Sequence, residues 1–126
     1  MKRLWIAAAL LLALLLGTVG NAWYLDGLSR SYQEQLTAAQ EMAEGGGWEE
    51  ARRLTDQIYQ DWHGRTFYFH VLLRHTDTDA VHLTFQEVGE YLRLEELDQY
   101  TAANARLITQ IGLLAEMEQL SWKNVL

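Results

Sequence analysis

The octapeptide HTDTDAVH, residues 75–82, sets two histidines and two aspartates among small side chains. On a helix, His75, Asp79 and His82 stand at i, i+4 and i+7, so their side chains share one stripe and converge. Neutral imidazoles and a carboxylate suit zinc or another divalent transition metal such as copper or nickel, with His70 or Asp77 as further candidates. The competing role is structural, with His75 bonding Asp79 or a backbone carbonyl at a helix corner and one tautomer fixed by that partner. His70 lies five residues before His75, off the stripe, and a helix break near Thr76 scatters the rest. The structural role is therefore the expected one, with no cofactor.

Elsewhere the chain carries no HExxH, no glycine-rich phosphate loop and no nucleophile beside a convincing base. The expected protein is not an enzyme. Its alternative is a metal-dependent enzyme or metal sensor built on His75, Asp79 and His82. A second concentration of chemistry is aromatic: Trp48, Tyr59, Trp62, Phe67, Tyr68 and Phe69. These residues suit a ligand groove, but Trp48 and Trp62, two heptads apart, share one stripe and read as core, leaving Tyr59 and Tyr68 partly exposed.

The elements that must position these groups follow from composition. Among 126 residues there is no proline and no cysteine. Leucine, alanine, glutamate and glutamine dominate over β-branched types, which favours an all-α chain, and without cysteine neither a disulfide nor a thiolate metal site can form.

Residues 4–25 hold no charge, and a helix of that length at ~1.5 Å per residue covers a hydrocarbon core of ~30 Å. Lys2 and Arg3 before it and Asp26 after it predict a single pass through the cell membrane, with the amino terminus cytoplasmic and the remainder outside. Trp23 and Tyr24 stand where an interfacial aromatic belt belongs. Gly20-Asn21-Ala22 offers a signal-peptidase site, but the apolar character runs past it, so a retained anchor is expected. Ala9, Ala13 and Gly17 repeat small residues every fourth position, a spacing compatible with a homodimer or a docking face, although such residues are common in membrane helices.

The organisation expected is an anchor over residues 1–25 and an extracytoplasmic helical bundle over residues 26–126. Beyond the anchor, eight basic residues face seventeen acidic ones, a net charge of −9. That sign repels phosphate backbones and excludes nucleic acid as a partner.

The bundle reads as three or four antiparallel helices. The anchor helix continues through residues 28–44 with Tyr32, Leu36, Ala39 and Ala43 on one side, and Gly45-Gly46-Gly47 ends it. The next helix starts at Trp48, buries Ala51, Ile58 and Trp62, and is predicted to run through Gly64 past Phe69 and Leu72 or Leu73 to Arg74. Thr76 or Thr78 then caps a third helix whose stripe is Val81, Phe85, Val88 and Leu92. After a joint at residues 93–96 the last helix carries Leu97, Tyr100, Asn104, Leu107, Ile111 and Leu114 on its seam. Glu118 falls on that seam, so the helix is predicted to end there. Residues 119–126 are then an extended tail folded back on the bundle through Leu120, Trp122, Val125 and Leu126, with Asn124 bonding backbone groups.

Several of these pieces coincide in order and spacing: an N-terminal apolar segment, Gly47-Trp48-Glu49-Glu50-Ala51, Trp62, His75-Thr76-Asp77-Thr78-Asp79 and the terminal EQLSWKNVL of residues 118–126. Together they resemble the small bacterial membrane-anchored proteins grouped as domain of unknown function 4363. The resemblance spans nearly the whole chain and implies an all-helical fold with a retained anchor, but no catalytic residues. Thr78 departs from it, standing where an apolar residue is expected. The function anticipated is an anchored extracytoplasmic interaction module that binds or stabilises another membrane or envelope protein. Ala9, Ala13, Gly17, Trp122, Asn124 and Leu126 are its partner-binding candidates.

Overall fold

The computed structural model describes the backbone of residues 1–65 and 75–125, and the side chains of residues 1–65 and 78–117. Among these the chain is entirely helices and short turns: α1 (Lys2–Glu44), α2 (Trp48–Gly64), α3 (His75–Leu94) and α4 (Leu97–Val125). α1 packs against α2 and α4, and α4 against α3, in an up-down-up-down bundle.

α1 is one helix with two surfaces of different character. Its first half is long and apolar enough to cross a membrane, with a mean hydropathy of 2.0 over its most apolar stretch and none of that stretch buried. Leu4, Trp5, Leu11 and Leu14 are all more than two-thirds exposed. From Ala22 onward the same helix buries Ala22, Leu25, Ser29, Tyr32, Leu36, Ala39 and Ala43. That alternation of threes and fours keeps one seam on the bundle, and it starts a turn earlier than the sequence-based boundary at residue 26.

Matching seams complete the core: Ala51, Thr55, Ile58 and Trp62 from α2, Val81, Phe85, Val88 and Leu92 from α3, and Tyr100, Ala103, Leu107, Ile111 and Leu114 from α4. Leu36, Leu92 and Leu107 are fully enclosed, and each such side chain contributes roughly 1.5–3 kcal/mol by leaving water. Thr78 is also buried, at 1% exposure, so a small residue fills the position where an apolar one was expected.

Polar side chains fix how α4 sits on α1. Ser29 Oγ donates to the carbonyl of Ile111 at 3.2 Å, Gln33 Nε2 to that of Ile108 at 3.0 Å, and Asn104 Nδ2 to that of Leu36 at 3.1 Å and to Gln40 Oε1 at 3.1 Å. Each step up α1 is met by one step down α4. An apolar seam alone tolerates a slip by a heptad, whereas these bonds exist in one register only.

Both turns at the far end of the bundle are closed the same way. At the first, the Gly47 N–H bonds the Met42 carbonyl and the Gly46 N–H the Ala43 carbonyl, with Gly46 at φ +88°. At the second, the Glu96 N–H bonds the Tyr91 carbonyl and the Glu95 N–H the Leu92 carbonyl, with Glu95 at φ +54°. Each is a Schellman closure whose left-handed residue is best supplied by glycine. Gly46→Ala is therefore expected to destabilise the bundle by ~1 kcal/mol, and Glu95→Gly to leave it unchanged or raise it by a few tenths. Urea midpoints of the two variants against the parent check both signs.

Three sequence-based expectations are corrected. α2 does not continue to Arg74: it stops at Gly64, with the Arg65 N–H turning back to the carbonyls of Asp61 and Trp62. The entropy of glycine outweighs a seam whose next members, Phe69 and Leu72 or Leu73, lie outside the described residues. Thr76 and Thr78 do not cap α3, because both lie within His75–Leu94. The last helix does not end at Glu118 but continues to Val125, so residues 119–125 are not an extended tail. After Gly112 the sequence offers helix formers and neither glycine nor proline, so local preference carries the helix past one charged seam position.

Candidate functional site

The seam between α2 and α3 is where the chemistry gathers. Tyr59, half-buried on α2, stacks on His63 one turn later, with ring centroids 5.6 Å apart and planes at 20°. It also meets His82 of α3 at 5.5 Å and the edge of Phe85 at 5.4 Å. Phe85 in turn packs on Trp62 at 5.8 Å. The Tyr59 hydroxyl lies 3.1 Å from His82 Nδ1, and the Gln86 amide nitrogen 3.3 Å from His82 Nε2. With the amide donating to Nε2, the neutral ring carries its hydrogen on Nδ1 and donates it to Tyr59.

Of the proposed metal triad, His82 is thus held by Tyr59 and Gln86. Asp79 is exposed and makes no ion pair with His82, and the His75 side chain, like that of Asp77, lies outside the described residues. Among the described residues no three histidine, aspartate or glutamate side chains converge as a metal site. What α2 does bring to His82 is His63, its ring 6.3 Å away. Sequence spacing gave no hint of that pairing, since it depends on the register of two helices. His70, Phe67, Tyr68 and Phe69 lie outside the described residues.

Above this corner the seam opens into a groove of about 530 Å³. Phe85, Leu92 and Thr55 form its floor, and Glu49, Arg52, Arg53 and Asp56 its rim. The Thr55 hydroxyl is buried and has no hydrogen-bond partner among the described residues. The other arginines described in the bundle are each paired with a carboxylate: Arg30 with Asp26, Arg65 with Asp61, Arg93 with Glu90 and Arg106 with Glu87. Arg52 and Arg53 form no ion pair among the described residues. Two guanidiniums that form no ion pair among the described residues, on the rim of a groove they share with Glu49 and Asp56, are the feature composition could not reveal.

A second network lies at the opposite end of the bundle, near the emergence of α1 from its apolar half. The Tyr32 hydroxyl donates to Asp61, Arg65 Nε reaches the same carboxylate at 3.2 Å, and the Arg65 guanidinium also donates to the Tyr24 hydroxyl while lying 5.8 Å from that ring's centre. The bond from Tyr32, and then Arg65, holds the Asp61 carboxyl below its usual range, while burial and the facing carboxylate push the Tyr32 phenol upward. A carboxylate lowered in the folded state contributes stability above its unfolded value and loses it as pH falls. Asp61→Asn is therefore expected to lower stability at pH 7 by about 1 kcal/mol, a modest figure because Asp61 is half exposed, and to lose that effect only as pH falls through the depressed Asp61 value, to about pH 2. Urea midpoints at the two pH values check this difference.

Of the partner-binding candidates, Ala9, Ala13 and Gly17 stand on the part of α1 that nothing in the described chain covers, and a Cβ at Gly17 meets no atom within 4 Å. The Trp122 and Asn124 side chains and all of Leu126 lie outside what the structure describes. No curated protein and no solved structure matches the chain. One family model does, over residues 20–125, which takes in the whole seam from Ala22 to the end of α4 and confirms the resemblance carried by the histidine-acid motif and the terminal segment. The chain therefore belongs to the family described as a domain of unknown function, DUF4363.

Proposed function

We propose that this chain is a membrane-anchored, extracytoplasmic interaction module without enzymatic activity. In this reading the first half of α1 holds the bundle at the outer membrane surface, and the α2–α3 groove binds a segment of another membrane or envelope protein. The observation that carries it is the groove itself: Arg52 and Arg53 line it with Phe85 and Leu92, beside Glu49 and Asp56, and form no ion pair among the described residues, while the other described arginines of the bundle are paired internally. A partner segment with apolar residues flanked by carboxylates fills the floor and neutralises both guanidiniums. Lys2 and Arg3 against Asp26 support an outward-facing bundle.

A photoreactive residue at Gln86, on the groove, tests the reading against one at Thr109, exposed on α4. In native membranes Gln86 is expected to give one discrete adduct that disappears in the Arg52→Glu/Arg53→Glu variant, and Thr109 none. Equal adducts from both sites, or an adduct indifferent to the arginines, contradict the groove as binding face.

A metal sensor is the second reading, favoured by the approach of His63 to His82 beside Tyr59. Elemental analysis of the purified chain with melting in the presence and absence of zinc separates the two. Stoichiometric metal and a raised melting temperature, both abolished by His82→Ala, belong to the sensor alone.

A further inference from the structure

The register between α1 and α4 has a consequence at the membrane. Ser29 lies opposite Ile111, Gln33 opposite Ile108 and Leu36 opposite Asn104, and Leu25 lines a small cavity together with Leu114 and Ala115. Over this whole length the helices run side by side and antiparallel. α4 does not stop at Ala115 but continues as helix to Val125. In unchanged register, position 122 reaches the level of Thr18 and position 125 that of Leu15, well inside the apolar half of α1.

A separate observation agrees. Residues 1–18 of α1 are exposed throughout, yet Val19 and Asn21 are half-buried and Ala22 is buried at 6% exposure, so chain material covers one side of α1 down to Val19. The sequence of α1 changes at the same level: leucines give way after Leu16 to Gly17-Thr18-Val19-Gly20-Asn21, small residues that leave room for a neighbouring helix.

We infer that the last two turns of α4 lie in the outer leaflet beside α1, as a second membrane-contacting element of the protein. This rests on the anchor reading of α1. At ~1.5 Å per residue, position 122 stands about 7 Å nearer the bilayer centre than Trp23, a depth at which amphipathic segments settle between headgroups and acyl chains. The segment's residue types suit that layer. Tryptophan favours the interface, lysine has a stem long enough to return its charge to the headgroups, and Leu120, Val125 and Leu126 are apolar. The bundle is then held at two points, which fixes its height and its rotation about α1.

The absence of cysteine allows the test on the full chain without background labelling. Single cysteines at Leu11, Thr109, Ser121 and Asn124 carry an environment-sensitive fluorophore, and the protein is reconstituted in vesicles of phosphatidylethanolamine and phosphatidylglycerol. Quenching by lipids with a spin label high on the acyl chain is compared with quenching by aqueous iodide. The expected result is lipid quenching at Ser121 and Asn124 with at least threefold protection from iodide relative to Thr109, which is quenched by iodide alone. If Leu11 is lipid-quenched while Ser121 and Asn124 are as open to iodide as Thr109, the placement of α4 is overturned and the anchor stands. If Leu11 too is open to iodide, anchor and placement fall together.

Discussion

Asn104→Asp is expected to destabilise the bundle by about 3–5 kcal/mol at pH 7, a large share of the 5–15 kcal/mol available to a domain of this kind. Asn104 is fully enclosed, and its amide nitrogen donates at 3.1 Å both to the Leu36 carbonyl and to Gln40 Oε1, while its Oδ1 has no partner among the described residues. Aspartate keeps the shape but replaces the donor with a charge facing two acceptors, so repulsion adds to the desolvation of the carboxylate. Protonation relieves both, so part of the loss returns as pH falls. Asn104→Leu discriminates between shape and bonding: it removes the amide without burying a charge, leaves the Leu36 carbonyl within its helix and Gln40 half-buried, and is expected to cost well under half as much. Urea unfolding followed by tryptophan fluorescence at pH 7 and pH 4.5 measures all three proteins. An aspartate variant as stable as the leucine one contradicts the enclosed position of Asn104.

Trp62→Ala carries the second large effect. Trp62 is 2% exposed, packs on Phe85 at 5.8 Å, and closes the small cavity that Leu25, Tyr32 and Ile111 also line, so its removal opens the core where α1, α2 and α4 meet near the apolar half of α1. Losses of about 3–5 kcal/mol accompany such truncations because transfer and cavity terms add. For a bundle of this length the melting temperature is expected to fall by roughly 12–40 °C, using ~4–8 °C per kcal/mol. Tyr59→Ala, half-buried on the same helix, is expected to fall by less than half of that. A calorimetric scan of the two variants against the parent gives the ordering, and the reverse ordering contradicts the assignment of Trp62 to the core and Tyr59 to the groove.

What the sequence made legible is what local pattern encodes. Tyr32, Leu36, Ala39 and Ala43, and Val81, Phe85, Val88 and Leu92, are buried as their spacing predicts, because a seam repeating by threes and fours has one way to face a neighbour. Gly45-Gly46-Gly47 closes α1 as expected, with Gly46 supplying the left-handed residue. Helix ends were read less well. At Gly64 and at Glu118 the seam and local preference disagree, and local preference prevails at both: glycine stops α2, while good helix formers carry α4 onward.

The candidate site was legible only in part. His82 and Tyr59 are visible as residue types, but their contact, the approach of His63, and the groove that Arg52 and Arg53 line depend on how two helices are set side by side. No spacing along one chain segment encodes that. Ser29, Gln33 and Asn104 make the same point for the fold, since each reaches a group far away in sequence.

The proposed function requires that one continuous helix, α1, hold this bundle on the outer face of a membrane. A single cysteine at Thr109, exposed on α4, in the otherwise cysteine-free full chain tests it in intact cells with a membrane-impermeant maleimide. Complete labelling before lysis is expected, with labelled protein that stays in the membrane pellet after extraction with alkaline carbonate. Labelling that requires lysis, or protein released into the soluble fraction, contradicts it.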